Sequence, residues 1–491
     1  MERNYNRHSA DRKHTFHPWR TLTFSVLSLA LIFTGVIFLL SRHQEARAVA
    51  SGYTPTYLAD NGRSDFNGTE TIINPTSALN MKLHWSYQAG GYISTNYISD
   101  QPVEANGLIY WGSWDGNEHA TDLNGNQIWQ RGLGYTYNAQ CNSLTGVAST
   151  ATVASVTIGG TLTSVVFVGG GDGNFYALNA ADGSIVWHTR LGKSPSNFIW
   201  SSPAVYNGNV YIGVSGFGDC PVTRGKLVEL NASTGAFQHT FNIVPPGCTG
   251  GGIWGSPTID ASTGLLYVAT GNEGTCSTAE PWVDALLALH TPGLSLAGSW
   301  QIPTSERVPD SDFGSTPTLF KGTIGGTLYR LVGIANKNGT YYAFPRAAIS
   351  AGPVWSVQIA GIGGGCGPDC GDGSISPSAW DGTTLYVAGG QTTIRGNSCK
   401  GSLRALNPST GAIKWQDCFH DGPVLGAVSL VPGVAVAGEG NRLVLVATSD
   451  GHSLYSYADT HSGSNFYGAA SILNGVLYIG NFDGILYAFG T

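Results

Sequence analysis

Residues 176–187 read YALNAADGSIVW, and residues 403–415 read LRALNPSTGAIKW. Each is an apolar alternating run into Ala-Leu-Asn, a turn closed by glycine, and a second run ending on tryptophan. That is the pattern of two antiparallel strands joined by a tight turn. A third copy, VELNASTGAFQH (228–239), has His239 at the closing position, and weaker copies end at Trp129, Trp300 and Trp355. The closing positions 129, 187, 239, 300, 355 and 415 recur at intervals of 52 to 61 residues.

A second phrase precedes these copies: SSPAVYNGNVYIGV (201–214), GSPTIDASTGLLYVAT (255–270), STPTLFKGTIGGTLYRLVG (315–333), SPSAWDGTTLYVAG (376–389) and GAASILNGVLYIG (468–480). It reads as a hairpin leading into the strand and tryptophan repeat. Four antiparallel strands recurring at this period predict an all-β propeller of four-stranded blades. The 3.6-residue apolar period of a helical solenoid is absent. Seven units are complete, and an eighth ends at LYAFGT (486–491) without its outer strand. LHWSYQAG (83–90) has the form of that missing strand, so pairing the two chain ends predicts an eight-bladed ring without open sheet edges. The expected propeller spans 80–491, with 41–79 a lead-in and linker.

Composition agrees: of 491 residues 11% are charged, and 69 are glycine. Residues 21–40 (TLTFSVLSLALIFTGVIFLL) form an uncharged apolar run long enough to cross a hydrocarbon core, following a basic segment, 1–20. This predicts one transmembrane or signal helix with residues 1–20 cytoplasmic. The remainder is then extracytoplasmic, either anchored in the membrane or secreted by cleavage after Ala50. Beyond residue 50 the chain carries 17 basic against 28 acidic residues, which argues against a nucleic-acid partner. All eight cysteines lie in this exported part, where disulfides are expected. Cys220 with Cys248 and Cys399 with Cys418 each bracket one repeat and are the candidate pairs. No Cys-x-x-Cys-His motif for covalent haem is present.

The Ala-Leu-Asn-x-x-(Thr/Asp)-Gly-x-x-x-Trp phrase resembles the repeat of the quinoprotein alcohol dehydrogenase-like β-propellers, whose cofactor is pyrroloquinoline quinone (PQQ). The closest look is to polyvinyl-alcohol-dehydrogenase-like proteins, over roughly residues 55–491. Non-catalytic scaffold propellers use the same repeat, so it speaks for the fold and not for the chemistry. The resemblance implies site residues. GGGIWGSPTID (250–260) makes Trp254 the floor under the planar quinone, a large rigid π face that flanking glycines let the backbone approach. VATGN (268–272) makes Asn272 an oxygen ligand of calcium, a hard cation.

ANKNGTYYAFPR (335–346) assigns Lys337 to the quinone oxygens, where an ammonium favours the charge gained on reduction. PWVDALLALH (281–290) makes Asp284 both a calcium ligand and the general base. PDSDFGSTPTLF (309–320) places Asp310 and Asp312 at the rim. In SGFGDCPVTRGKL (215–227) only Asp219 stands where the family carries a glutamate ligand. The adjacent-cysteine lid of many relatives is missing; Cys366 and Cys370 in GGGCGPDCGDG (363–373) are its nearest substitute. The resemblance thus implies a PQQ- and calcium-dependent dehydrogenase taking a small or polymeric alcohol and passing electrons to an external acceptor. The alternative is a non-catalytic, membrane-anchored scaffold or ligand-binding module with a protein partner.

Overall fold

Strands form where the alternating segments predicted them. The structure, a computed structural model, describes residues 54–90, 96–276, 278–361, 367–461 and 463–491. The apolar run 21–40 lies outside the described residues, and among the described residues no helix is long and apolar enough to cross a membrane. Eight antiparallel sheets follow one another along the chain, each of four strands except the third, where Asn197–Phe198 adds a short fifth. Blades 1 to 7 span 103–132, 152–190, 204–242, 258–301, 318–358, 379–419 and 429–458. Blade 8 takes its three inner strands from 471–490, and Lys82–Gln88 pairs antiparallel with Ile485–Gly490 as its outer strand.

The packing between blades explains the repeat. The Trp129 indole of blade 1 donates from Nε1 to the Ala180 carbonyl of blade 2 at 3.0 Å, and Trp187 donates likewise to Ala232 of blade 3. Each ring lies on the glycine of the next blade's turn. A β-carbon at Gly183 would stand 2.6 Å from the Trp129 ring, and one at Gly235 2.5 Å from Trp187. Both glycines also have positive φ, so the motif needs glycine for conformation and for contact. Trp85, on the outer strand of blade 8, makes the equivalent bond to Leu123 of blade 1 at 3.0 Å. Between blades the facing side chains form the core. Phe167 and Phe175 of blade 2, for example, pack with Ile212 and Val228 of blade 3, all fully buried.

The lead-in is not a loose linker. Residues 54–67 cross the hub and bond to the innermost strand of each blade in turn. Thr54 bridges Glu104. The Pro55, Asn61, Gly62, Ser64 and Asp65 carbonyls accept from Val153, Ile259, Leu319, Trp380 and Leu430. Asn61 and Asn67 side chains donate to Val205 and Ile472. Arg63, fully buried, donates to the carbonyls of Pro257, Tyr57 and Pro203. Residues 54–67 therefore plug the hub along the innermost strands.

Disulfides join Cys141 to Cys220, Cys248 to Cys276 and Cys399 to Cys418. The expected Cys220–Cys248 pair is thereby corrected, and Cys399–Cys418 stands. Bracketing a repeat put Cys220 and Cys248 on separate loops. Cys399 instead ends a hairpin, Thr392–Ile394 with Asn397–Cys399, that packs against the strand carrying Cys418. Cys370 is disulfide-bonded, and Cys366 lies outside the described residues.

Candidate functional site

The segment Ile-Trp-x-Ser-Pro occurs twice, as Ile199–Pro203 and Ile253–Pro257, each immediately before an innermost strand. The isoleucine is buried and the next side chain turns into the hub, so Trp200 and Trp254 are half-exposed there. Both line one cavity of about 250 Å³, together with Asp219, Asn272, Asp312 and Lys337. Blade 5 has Gly314 in front of its own Ser-Thr-Pro, and a β-carbon there would collide with the six-membered ring of Trp254. The missing side chain lets the indole lie across the hub. Trp254 is therefore a cavity wall and not a wedge between sheets.

One carboxylate organises the neighbourhood. Asp312 accepts the Trp254 Nε1–H at 2.9 Å on Oδ2 and the Lys337 ammonium at 2.5 Å on Oδ1. Lys337 also pairs with Asp310 at 2.9 Å, and its Nζ stands 5.0 Å from the Trp254 ring centre, within cation–π range. The backbone around it is fixed by the buried Asn336, whose amide donates to the Ser311 and Asp312 carbonyls. Burial alone lowers the Lys337 pKa, but Asp312 and Asp310 more than offset it, so the ammonium is held charged. Burial pushes the Asp312 carboxyl up, against the pull of Lys337.

Asn272 joins this network by donating from Nδ2 to Asp219 at 3.1 Å and to Asp310 at 2.8 Å. Asp284 stands at the start of the strand Ala285–His290, with φ +46°. Its Oδ1 is buried without a hydrogen-bond partner. Burial raises its pKa to about 6, with Arg307 and Lys337 pulling down and Glu273 and Asp310 pushing up.

Trp254, Asn272, Asp219, Asp312 and Lys337 therefore share one cavity, and Asp310 and Asp284 are coupled to it through Lys337. The residues fit a flat, anionic ring system: an indole wall, a fixed ammonium and glycine backbone at Gly252 and Gly271. They also offer oxygens to a hard cation, because Asn272 links Asp219 to Asp310 and Asp284 keeps an orphaned oxygen. Among the described residues, the clusters of three ligand groups within 4.8 Å contain none of Asp219, Asp284 or Asp310. The acidic oxygens are present but spread.

Trp200 was missed from the sequence, although its Ile-Trp-Ser-Ser-Pro phrase repeats the one that nominated Trp254. It opens an aromatic series around the hub: Trp200 to Trp114 at 5.9 Å, Trp114 to Tyr97 at 4.9 Å, Tyr97 stacked on Phe482 at 4.3 Å, and Phe482 to Tyr467 at 4.6 Å. In the turns Trp114-Asp115-Gly116, Lys337-Asn338-Gly339 and Phe482-Asp483-Gly484, lysine replaces an aromatic ring at one position. The hub is thus aromatic on the side of blades 8, 1 and 3 and ionic beside blades 4 and 5.

Residues 161–281 match a PQQ-repeat family model described as outer membrane protein assembly factor BamB. The chain is 28% identical to quinohemoprotein alcohol dehydrogenase of Comamonas testosteroni, over 48% of this chain and 35% of that protein. It is 25% identical to a Pseudomonas polyvinylalcohol dehydrogenase, over 57% and 50%. The chain thus spans about a third to a half of the length of these two relatives. It is 24% identical to the assembly factor BamB of Yersinia pestis, over 88% and 85%. The crystal structure of the Comamonas quinohemoprotein superposes with a TM-score of 0.71 at 18% identity, covering 91% of this chain and 81% of that one. By repeat and by fold, this chain is an eight-bladed propeller similar to the PQQ-repeat, quinoprotein alcohol dehydrogenase-like proteins.

Proposed function

We propose that the chain is a PQQ- and calcium-dependent dehydrogenase that oxidises an alcohol, small or polymeric, and hands the electrons to a separate acceptor. The observation that carries this reading is the single carboxylate of Asp312 holding both the Trp254 indole and the Lys337 ammonium on the wall of the hub cavity. Scaffolding needs no fixed cation over an exposed indole. A planar anionic cofactor uses both, the ring for stacking and the ammonium for charge.

Bound there, PQQ supplies a two-electron acceptor for the carbinol hydrogen and calcium supplies Lewis acidity. Asn272 and Asp284 are the residues to hold the cation. Trp254 sets the plane of the ring, and Lys337 is placed to stabilise negative charge on its oxygens. Asp284, raised to about 6, is still mostly ionised near neutrality and takes the hydroxyl proton. In this reading the acceptor is a second protein or a membrane quinone; residues 1–491 carry no Cys-x-x-Cys-His. The basic and apolar segments of residues 1–40 and the disulfides support an extracytoplasmic propeller, anchored or cleaved after Ala50.

The match to BamB over most of both chains favours a second reading, a scaffold that binds protein partners through its loops. Reconstitution of the purified chain with PQQ and calcium separates the two. Reduction of an artificial dye with an alcohol supports the dehydrogenase, and no cofactor binding supports the scaffold.

A further inference from the structure

Arg224 and Lys226 flank Gly225 at the entry to the third strand of blade 3, Lys226–Asn231. A β-carbon at Gly225 would fall 1.8 Å from the Gly251 carbonyl oxygen, so backbone packs against backbone on that side. Arg224 bridges Gly250, which keeps this stretch extended, and residues two apart in extended chain point the same way. Both cationic side chains therefore turn into one groove, lined also by Gln140, Thr223, Thr249 and Thr275. The groove meets the hub cavity, because Asp219, Val222 and Thr223 line both. Neither Arg224 nor Lys226 lines the hub cavity itself.

The two charges are unbalanced. Among the described residues, the lysines and arginines that pair with a carboxylate are Lys337, Arg346 and Arg442. Arg224 spends its Nε–H on the Val244 carbonyl at 2.7 Å, and its two terminal nitrogens have no partner among the described residues. Burial and the Arg224 charge push the Lys226 pKa down, and no acid pulls it back. Asp219, the acid on the groove wall, is engaged by the Asn272 amide at 3.1 Å. Like charges side by side in a partly buried groove repel, and an anion between them relieves both. The walls are braced as well. Gln140 adjoins Cys141, which is bonded to Cys220. Thr249 and Thr275 adjoin the bonded pair Cys248 and Cys276, and their hydroxyls lie 3.1 Å apart. A fixed groove with paired cations and a lining of hydroxyls and an amide suits a ligand that is anionic and rich in hydroxyls.

The geometry points to a binding groove for acidic carbohydrate, with a sugar carboxylate held between Arg224 and Lys226 and sugar hydroxyls on Thr223, Thr249 and Thr275. Arg224 offers a planar fork of donors and Lys226 a compact charge, a combination that recognises a carboxylate. The continuity with the hub cavity then names a substrate class, and this step rests on the proposed dehydrogenase. One hydroxyl of the chain enters the hub while an acidic sugar unit is gripped in the groove.

Trigalacturonate and its methyl ester are the probes, because esterification removes the charge and leaves the hydroxyls. Calorimetric titration into the full chain without PQQ is expected to show the acid binding about 10-fold or more tighter than the ester. Added sodium chloride is expected to narrow that difference. Lys226→Met, which keeps the stem, is expected to remove the preference; if it fails to fold, the comparison of acid with ester on the unaltered chain still decides. Inorganic sulfate distinguishes a bare anion site from a sugar site and is expected to bind about 10-fold or more weaker than the trisaccharide. Acid and ester binding alike, a Lys226 variant that keeps the preference, or sulfate matching the trisaccharide overturns the proposal. With PQQ and calcium added, dye reduction is expected to favour the acid over the ester by the same factor. A loaded chain that oxidises neither, while the free chain still tells them apart, removes the substrate role along with the dehydrogenase and upholds the binding groove.

Discussion

The Lys337 ammonium stands 5.0 Å from the centre of the Trp254 indole, and the carboxylate of Asp312 holds both. Three side chains from three separate segments are thus tied together. Lys337→Met is expected to keep the stem's packing, remove the charge and weaken PQQ binding about 10-fold to 100-fold, the worth of one charge-assisted contact. Titration of the cofactor against tryptophan fluorescence reads this directly.

Asp312→Asn separates the anchor from the charge. The amide still offers an oxygen to the Trp254 N–H but no longer balances Lys337 inside the wall. The expected outcome is a fold that survives, with midpoint lowered, and cofactor affinity reduced together with that of Lys337→Met in a non-additive way. A double-mutant cycle on the two positions measures the coupling, expected at about 1 kcal/mol or more for groups in direct contact.

Asp284 predicts a pH profile. Burial holds its carboxyl at about 6 without a cation, and calcium bound beside it would lower that value, so kcat/KM is expected to decline on the acid side with a midpoint below 6. Asp284→Asn is expected to lower turnover by about 100-fold to 10,000-fold and remove that limb. Steady-state kinetics across pH 4.5 to 8 with a non-titrating dye is the check.

The ring and its repeat were legible because they rest on local chemistry. A tryptophan four residues past a turn glycine is visible in the sequence, and Trp129 and Trp187 dock as that spacing implies. The lead-in was not legible. Nothing in NGRSDFNG (61–68) announces that its carbonyls complete the hydrogen bonds of several innermost strands, because that role exists only once eight blades face one another. The same reason misdirected the Cys220 pairing, which depends on which loops meet around the hub. Trp200 was different: its Ile-Trp-Ser-Ser-Pro phrase repeats that of Trp254 and carried the signal.

Asp65, in this lead-in, gives a stability prediction. It accepts from Gln101 and Ser429, yet burial dominates and raises its pKa to about 7. A carboxyl that binds its proton more tightly when folded than when unfolded, near 4, destabilises the fold as pH rises between those values. Stability is therefore expected to fall from pH 4 to pH 7 on this account, and Asp65→Asn to flatten that part of the curve. Denaturant unfolding at several pH values measures it.

Arg63 tests the closure of the hub. Its buried guanidinium donates to the carbonyls of Pro257, Tyr57 and Pro203, so Arg63→Met strands three acceptors at once. A loss of about 3 kcal/mol or more is expected, since each buried acceptor left unpaired costs about 1 to 3 kcal/mol. Equilibrium unfolding in urea reads the difference.

The measurement that reaches furthest is a calorimetric titration of PQQ into the purified full chain, with and without calcium, repeated on Trp254→Ala. The account predicts a single site with a dissociation constant of about 10 μM or tighter, dependent on calcium and lost in the variant. Heat of binding that is absent, or that survives removal of the indole unchanged, contradicts a cofactor lying on Trp254 and leaves the propeller without its redox chemistry.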